Sequence, residues 1–179
     1  MRTTAGDDGT TGGNTAVVGH ADLTPDTLLL VESALRTRLA RPPVPAVTMV
    51  RTGVGTPLAS GRAARASGCP LAVVIPTRVG VPAAPPQRDR TAAGELLALA
   101  DEVRLPAYDP ADRDSCVGAD GRLVACSGLL LAVWGGSPSD GHDTTAHLVA
   151  YARARGVPVE IVWPEGAARE ALPAVHAEG

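Results

Sequence analysis

Short apolar runs recur along this chain, and each stops at a glycine, a proline or a polar cluster. Between them lie stretches in which apolar residues return every three or four positions, the spacing of a helix with one buried face. The strand-like runs are Thr15–Gly19 leading to His20, Val47–Val50, Leu71–Ile75, Glu102–Leu105, Leu129–Trp134 and Val157–Trp163, the last with Pro158 at its start. Leu71–Ile75 is apolar throughout and predicts a strand buried on both faces, whereas Glu102–Leu105 predicts an edge strand. Leu28, Val31, Leu35 and Leu39 recur at helical spacing behind Thr24, a capping residue, and Pro25, at the first helical position; Pro42, Pro43 and Pro45 close that helix. Further helices are predicted from Pro57 to Ser67, stopped by Gly68, and from Thr91 to Ala100. Asp109 to Asp114 leads into another through about Cys126, weakened by Gly118 and Gly121, and one more runs from Thr144 or Thr145 to Arg155, stopped by Gly156. Thr77 to Arg90 is Pro-rich and predicts a long irregular loop.

Strands alternating with helices predict an α/β fold: a mostly parallel sheet of about six strands with helices on both faces. Residues 1–14 are Thr, Gly and Asp with one Arg and predict a disordered tail; 15–165 form the domain, and 166–179 a C-terminal tail. The stretch Leu129 to Ala146 organises this plan. A buried run meets Gly135 and Gly136, passes Ser137 and Gly141, and ends in Asp143-Thr144-Thr145, residues that start helices. Strand, glycine loop and helix N-terminus present free N–H groups and positive potential to an anion. Gly19-His20 after the first strand and Thr52-Gly53-Val54-Gly55-Thr56 after the second belong at the same end of the sheet, where ligands of such folds bind. The candidate ligand-binding set is therefore Gly19, His20, Thr52, Gly53, Gly55, Thr56, Gly135, Gly136, Ser137, Gly141, Thr144 and Thr145.

Composition narrows the partners. Of 179 residues, 45% are hydrophobic but only 2% aromatic, and Phe is absent, so aliphatic side chains and Ala build the core. Every basic side chain is Arg; net charge is −3, with no basic stripe and almost no aromatics to stack bases. Nucleic acid is not the expected partner. Three cysteines without CxxC spacing predict buried, free thiols in a reducing cytoplasm. There is no signal-peptide core and no membrane-length run, so a cytoplasmic protein without a membrane partner is expected.

Val18-Gly19-His20 with Asp22-Leu23-Thr24-Pro25 resembles the "GHR-x-L-T-P" opening of small bacterial proteins of the SLOG superfamily, Rossmann-like domains related to the LOG and lysine-decarboxylase-like proteins and to DprA. Leu129 to Trp134, Gly136, Thr145-Ala146, Gly156-Val157-Pro158-Val159 and Trp163-Pro164 resemble that family's later segment, so the likeness runs from about Val17 to Glu165. It implies a nucleotide or nucleotide-derived ligand such as ADP-ribose, no separate cofactor, and in the LOG branch cleavage of nucleoside monophosphates at the N-glycosidic bond. The family's Arg in "GHR" is Ala21 here, the acidic residue of its "EGAD" segment is Pro57, and its "GGT" glycines are Asp143 and Thr144. The acidic position two beyond the Thr is His147, and the Glu of the LOG motif falls at Leu148. Glycoside hydrolysis needs a carboxylate beside the ribose.

Those replacements favour a nucleotide-binding or sensing domain without strong catalysis. The alternative is a LOG-like phosphoribohydrolase acting through His20, Asp22 or Glu95. The third reading is a scaffold with a vestigial pocket, a homodimer formed through Ala- and Leu-rich helices. His20 reads equally as a ligand-orienting group or as a histidine bonded to a neighbouring carbonyl. His142 and His147 with Asp140 and Asp143 lack metal-ligand spacing, so no metal is expected. Trp134 reads as a packing residue before a base-stacking one, and Arg78, Arg88 and Arg90 as solvated charges before phosphate contacts.

Overall fold

The computed structural model describes residues 2–4, by their backbone, together with 13–137 and 144–170. In chain order the elements begin with β1 (Arg2–Thr4), β2 (Asn14–Gly19), α1 (Pro25–Leu39), β3 (Val47–Arg51), α2 (Thr56–Ser67) and β4 (Leu71–Val74). A small hairpin of β5 (Thr77–Arg78) and β6 (Val81–Pro82) precedes α3 (Arg90–Leu99) and β7 (Glu102–Arg104). The chain continues through α4 (Arg113–Ala125), β8 (Leu129–Val133), α5 (Thr144–Ala154) and β9 (Val159–Ile161).

Local chemistry explains the boundaries. The Thr24 hydroxyl accepts from the Thr27 N–H at 3.3 Å and Pro25 opens α1, with Asp26 in the first turn and Arg36 and Arg38 in the last, as the helix dipole favours. Gly68, left-handed at φ +69°, ends α2. Asp112 caps α4 by accepting from the Ser115 N–H at 2.9 Å.

Six expected strands and β1 form one parallel sheet in the order β1-β7-β4-β3-β2-β8-β9. From β2 the chain steps outward through β3, β4 and β7, then α4 carries it back across the sheet to β8 on the other side of β2. Strand order therefore reverses between β2 and β8. The first three helices bury Val31, Leu35, Leu39, Ala63 and Leu96 against one face. The last two bury Leu123, Val124, Leu148 and Ala152 against the other. This is the doubly wound, Rossmann-like architecture expected, with both faces covered.

Four local expectations change. Arg2–Thr4, read as part of a disordered tail, pairs in register with Glu102–Arg104. That strand is consequently internal, between β4 and β1, and not an edge. Residues 77–90 hold a two-stranded hairpin and a 3-10 turn at Gln87–Asp89 in place of a featureless loop. The start of the C-terminal tail is tied down: the Ala168 N–H donates to Thr27 Oγ1 at 2.8 Å, and Arg169 pairs with Asp22 at 2.9 Å. Residues 5–12 and 171–179 of the two tails lie outside the described residues. Among the described residues, no helix is long and apolar enough to cross a membrane.

Candidate functional site

The reversal point opens a cleft of about 280 Å³ on the α4–α5 side of the sheet, beyond the carboxyl ends of β2 and β3. Its floor is the end of β2, with Val18, Gly19 and Ala21. One wall is the turn after β3, with Thr52, Gly53 and Val54, closed by Pro57 at the start of α2. The opposite wall is the first turn of α5, with Thr144, Thr145 and Leu148. Thr144 is exposed, whereas Thr145 is buried. Gly53 leaves its wall low: a Cβ there would meet only the Pro57 ring, at 3.4 Å.

Of the predicted ligand-binding set, Gly19, Thr52, Gly53, Thr144 and Thr145 meet in this cleft. Others serve the scaffold. His20 is buried behind β2, its ring edge-on to Trp163 at 5.8 Å, and does not line the cleft. Thr56 is fully buried and donates its hydroxyl to the His20 carbonyl at 2.7 Å. Gly55, left-handed at φ +69°, lets the backbone press on Ala21, whose carbonyl oxygen would lie 2.5 Å from any added Cβ. Gly135 accommodates the Trp163 ring, 3.0 Å from where its Cβ would be. Gly136 and Ser137 lie outside the lining, the latter accepting from the Trp134 indole at 2.9 Å. Gly141, His142, Asp140 and the expected cap Asp143 lie outside the described residues.

The catalytic candidates also stand apart. Asp22 is engaged with Arg169, and Glu95 pairs with Arg62 at 2.6 Å on the surface. Arg78 pairs with Asp109, while Arg88 reaches the cleft. Among the described residues, no group of His, Cys, Asp and Glu is placed to hold a metal. The three cysteines are free; Cys69 is buried, which raises its thiol pKa, but Cys116 and Cys126 are only partly so, contrary to expectation.

The most prominent charges of the cleft were not singled out in the sequence. Arg51, the last residue of β3, donates from Nη1 to both carboxylate oxygens of Asp120, at 2.7 Å each. Asp120 comes from the middle of α4 and is buried. The Arg51 guanidinium lies 5.9 Å from the centre of the Tyr108 ring. Burial alone lowers the pKa of Arg51, but the Asp120 charge and hydrogen bond outweigh it and raise it on balance. Burial, ahead of the opposing Arg51 charge, raises that of Tyr108. Arg51 lies close enough to the Tyr108 hydroxyl to oppose that rise slightly, but among the described residues the buried hydroxyl has no partner in good hydrogen-bonding geometry. Asp89, on the lip beside Arg88, supplies a second carboxylate.

No protein-family model and no curated protein sequence matches the chain. Solved structures do. DNA processing protein A (DprA) from Streptococcus pneumoniae matches with a TM-score of 0.59 at 15% identity, over 83% of this chain and 49% of that one. The molybdenum cofactor carrier protein of Chlamydomonas reinhardtii matches with a TM-score of 0.51 at 18% identity, over 83% of this chain and 74% of that one. This chain thus spans about half the length of the DprA structure. The likeness is one of architecture: the chain shares the Rossmann-like fold of these two structures.

Proposed function

We propose that this chain is a binding module for a nucleotide or nucleotide-derived anion, seated in the cleft between β2, β3 and α5. One observation carries the reading: strand-order reversal brings Gly19, Thr52-Gly53 and the N-terminal turn of α5 around one opening. Helix amides and threonine hydroxyls at such a rim suit a phosphoryl group. The volume lies just under the range of about 300–1,000 Å³ usual for small-molecule sites, which favours a mononucleotide-sized ligand over a dinucleotide. A carrier of a small cofactor on the same fold supports a small ligand; DNA processing by another neighbour raises nucleic acid as the competing partner. The net charge of −3 and the pairing of both cleft arginines with aspartates favour the small ligand.

The test is a thermal-unfolding panel of nucleoside mono- and diphosphates, ADP-ribose and nucleotide sugars at millimolar concentration. A ligand present at a hundred times its Kd adds about 2.7 kcal/mol to the native state. The expected result is a raised midpoint with one class, lost in Gly53→Val, whose unliganded midpoint stays close to that of the parent. No shift with any member sinks the reading.

Asp89 and Asp120 favour a second reading, because they bring carboxylates to a cleft in which the carboxylates of the family motifs are replaced. An N-glycosidic hydrolase would release free base from a nucleoside monophosphate and lose that activity in Asp89→Ala. Both oxygens of Asp120 already accept from Arg51, which supports binding over turnover.

A further inference from the structure

Arg51 is held in an unusual way. Both of its bonds to Asp120 leave from a single terminal nitrogen, Nη1. Its side-on edge, Nε and Nη2, donates no hydrogen bond among the described residues. Arg38 shows the contrast within the same chain: its Nε and Nη2 grip the Glu160 carboxylate as a complete fork. In Arg51 that fork makes no hydrogen bond among the described residues, although the Tyr108 hydroxyl lies close to the guanidinium; the side chain lines the cleft and keeps about a third of its surface open. The buried Tyr108 hydroxyl beside it likewise has no partner in good hydrogen-bonding geometry among the described residues.

A buried carboxylate in mid-helix is costly unless it is paired, and the pair contributes little net stability. Asp120 does fix the direction of the guanidinium. It weakens the long-range pull on an anion, but leaves the fork two charge-assisted donors in planar geometry. A second copy of such geometry at the end of a strand, in a ligand-sized opening, matches the oxygens of a phosphoryl or carboxylate group.

We propose that Arg51 reads an oxyanion of the ligand through its Nε–Nη2 edge, with Asp120 as the residue that positions it. The proposal rests on the cleft being a small-molecule site and adds a requirement: the ligand presents a phosphoryl or carboxylate oxygen at the β3 end of the opening.

The test uses inorganic pyrophosphate and succinate as separate probes, which distinguish the two oxyanions. The Arg51 Nε–H signal, assigned through its own side chain, is followed by NMR while each probe is added to the intact protein, and binding is measured by calorimetry. A saturable shift with one probe is expected, with binding weakened about tenfold in Arg51→Lys, which keeps the charge and loses the fork. Asp120→Asn is expected to move the Nε signal towards that of a freely rotating arginine before any probe is added, and Asp120→Glu to restore it. An Nε signal indifferent to both probes, or unchanged affinity in Arg51→Lys, overturns the proposal. If a nucleotide still raises the unfolding midpoint in that case, only the role of Arg51 falls; if nothing binds, the reading of the cleft falls with it.

Discussion

Three glycines that follow strands at this end of the sheet do three different things, and substitution separates them. At Gly19 an added Cβ would sit 2.6 Å from Val133 Cβ and 2.7 Å from Thr56 Oγ1, so β2, β8 and α2 meet there with no room to spare. Gly19→Ala is expected to cost about 1–3 kcal/mol as overpacking, read as a lower urea midpoint. Gly136 has open space but φ +82°; Gly136→Ala is expected to cost about 1–2 kcal/mol through backbone strain alone. Gly53 has neither constraint, and its Ala variant is expected within about 0.5 kcal/mol of the parent. Sequence makes all three visible as loop glycines. It does not say what the missing side chain makes room for, because the neighbour comes from another element. Arg51 and Asp120 were illegible for the same reason: one ends a strand, the other sits mid-helix 69 positions later, and no spacing links them.

The elements themselves were largely legible. Apolar runs closed by a glycine, a proline or polar residues marked β2, β3, β4 and β8, and Thr24-Pro25 and Gly68 marked helix ends where they fall. Segments whose pairing partner lies far along the chain were not. Arg2–Thr4 has no apolar pattern, yet its backbone completes the flank of β7. Asp22, a catalytic candidate in the sequence, ties down the segment after β9 by pairing with Arg169, together with the Glu170 N–H donating to the Asp22 carbonyl at 2.7 Å. Helix α1 is thus clamped at its first turn by residues that follow the last strand. Removal of residues 166–179 is expected to leave the sheet intact while lowering hydrogen-exchange protection at Thr27 and Leu28, and the loss should be smaller at Leu35 and Leu39.

Across the whole molecule, Arg38 of α1 and Glu160 of β9 link the first helix to the last strand. The Arg38 hydrogen bond holds the Glu160 carboxyl below the usual carboxylate range. A folded-state value below the unfolded one, about 4.3, means that the contribution is complete above pH 5 and is lost as pH falls through the folded value. With Glu160 45% exposed, its size is expected to stay under about 1 kcal/mol. Chemical denaturation of the parent and of Glu160→Gln should therefore differ at pH 7, and the difference should shrink as pH falls below the unfolded carboxylate value. Parallel layering was readable from alternating patterns, whereas neighbour order was not, since periodicity identifies strands without saying which face each connecting helix takes.

That order has a consequence for how the protein is made. Thr15 lies beside Leu129, so the central strand keeps one flank unpaired until more than a hundred further residues have left the ribosome. The first half of the sheet can assemble during synthesis, but the proposed ligand-binding cleft is finished only when the last two strands and the helix between them arrive. Ligand capture by a tethered nascent chain would accordingly switch on late and abruptly, reporting completion of the molecule.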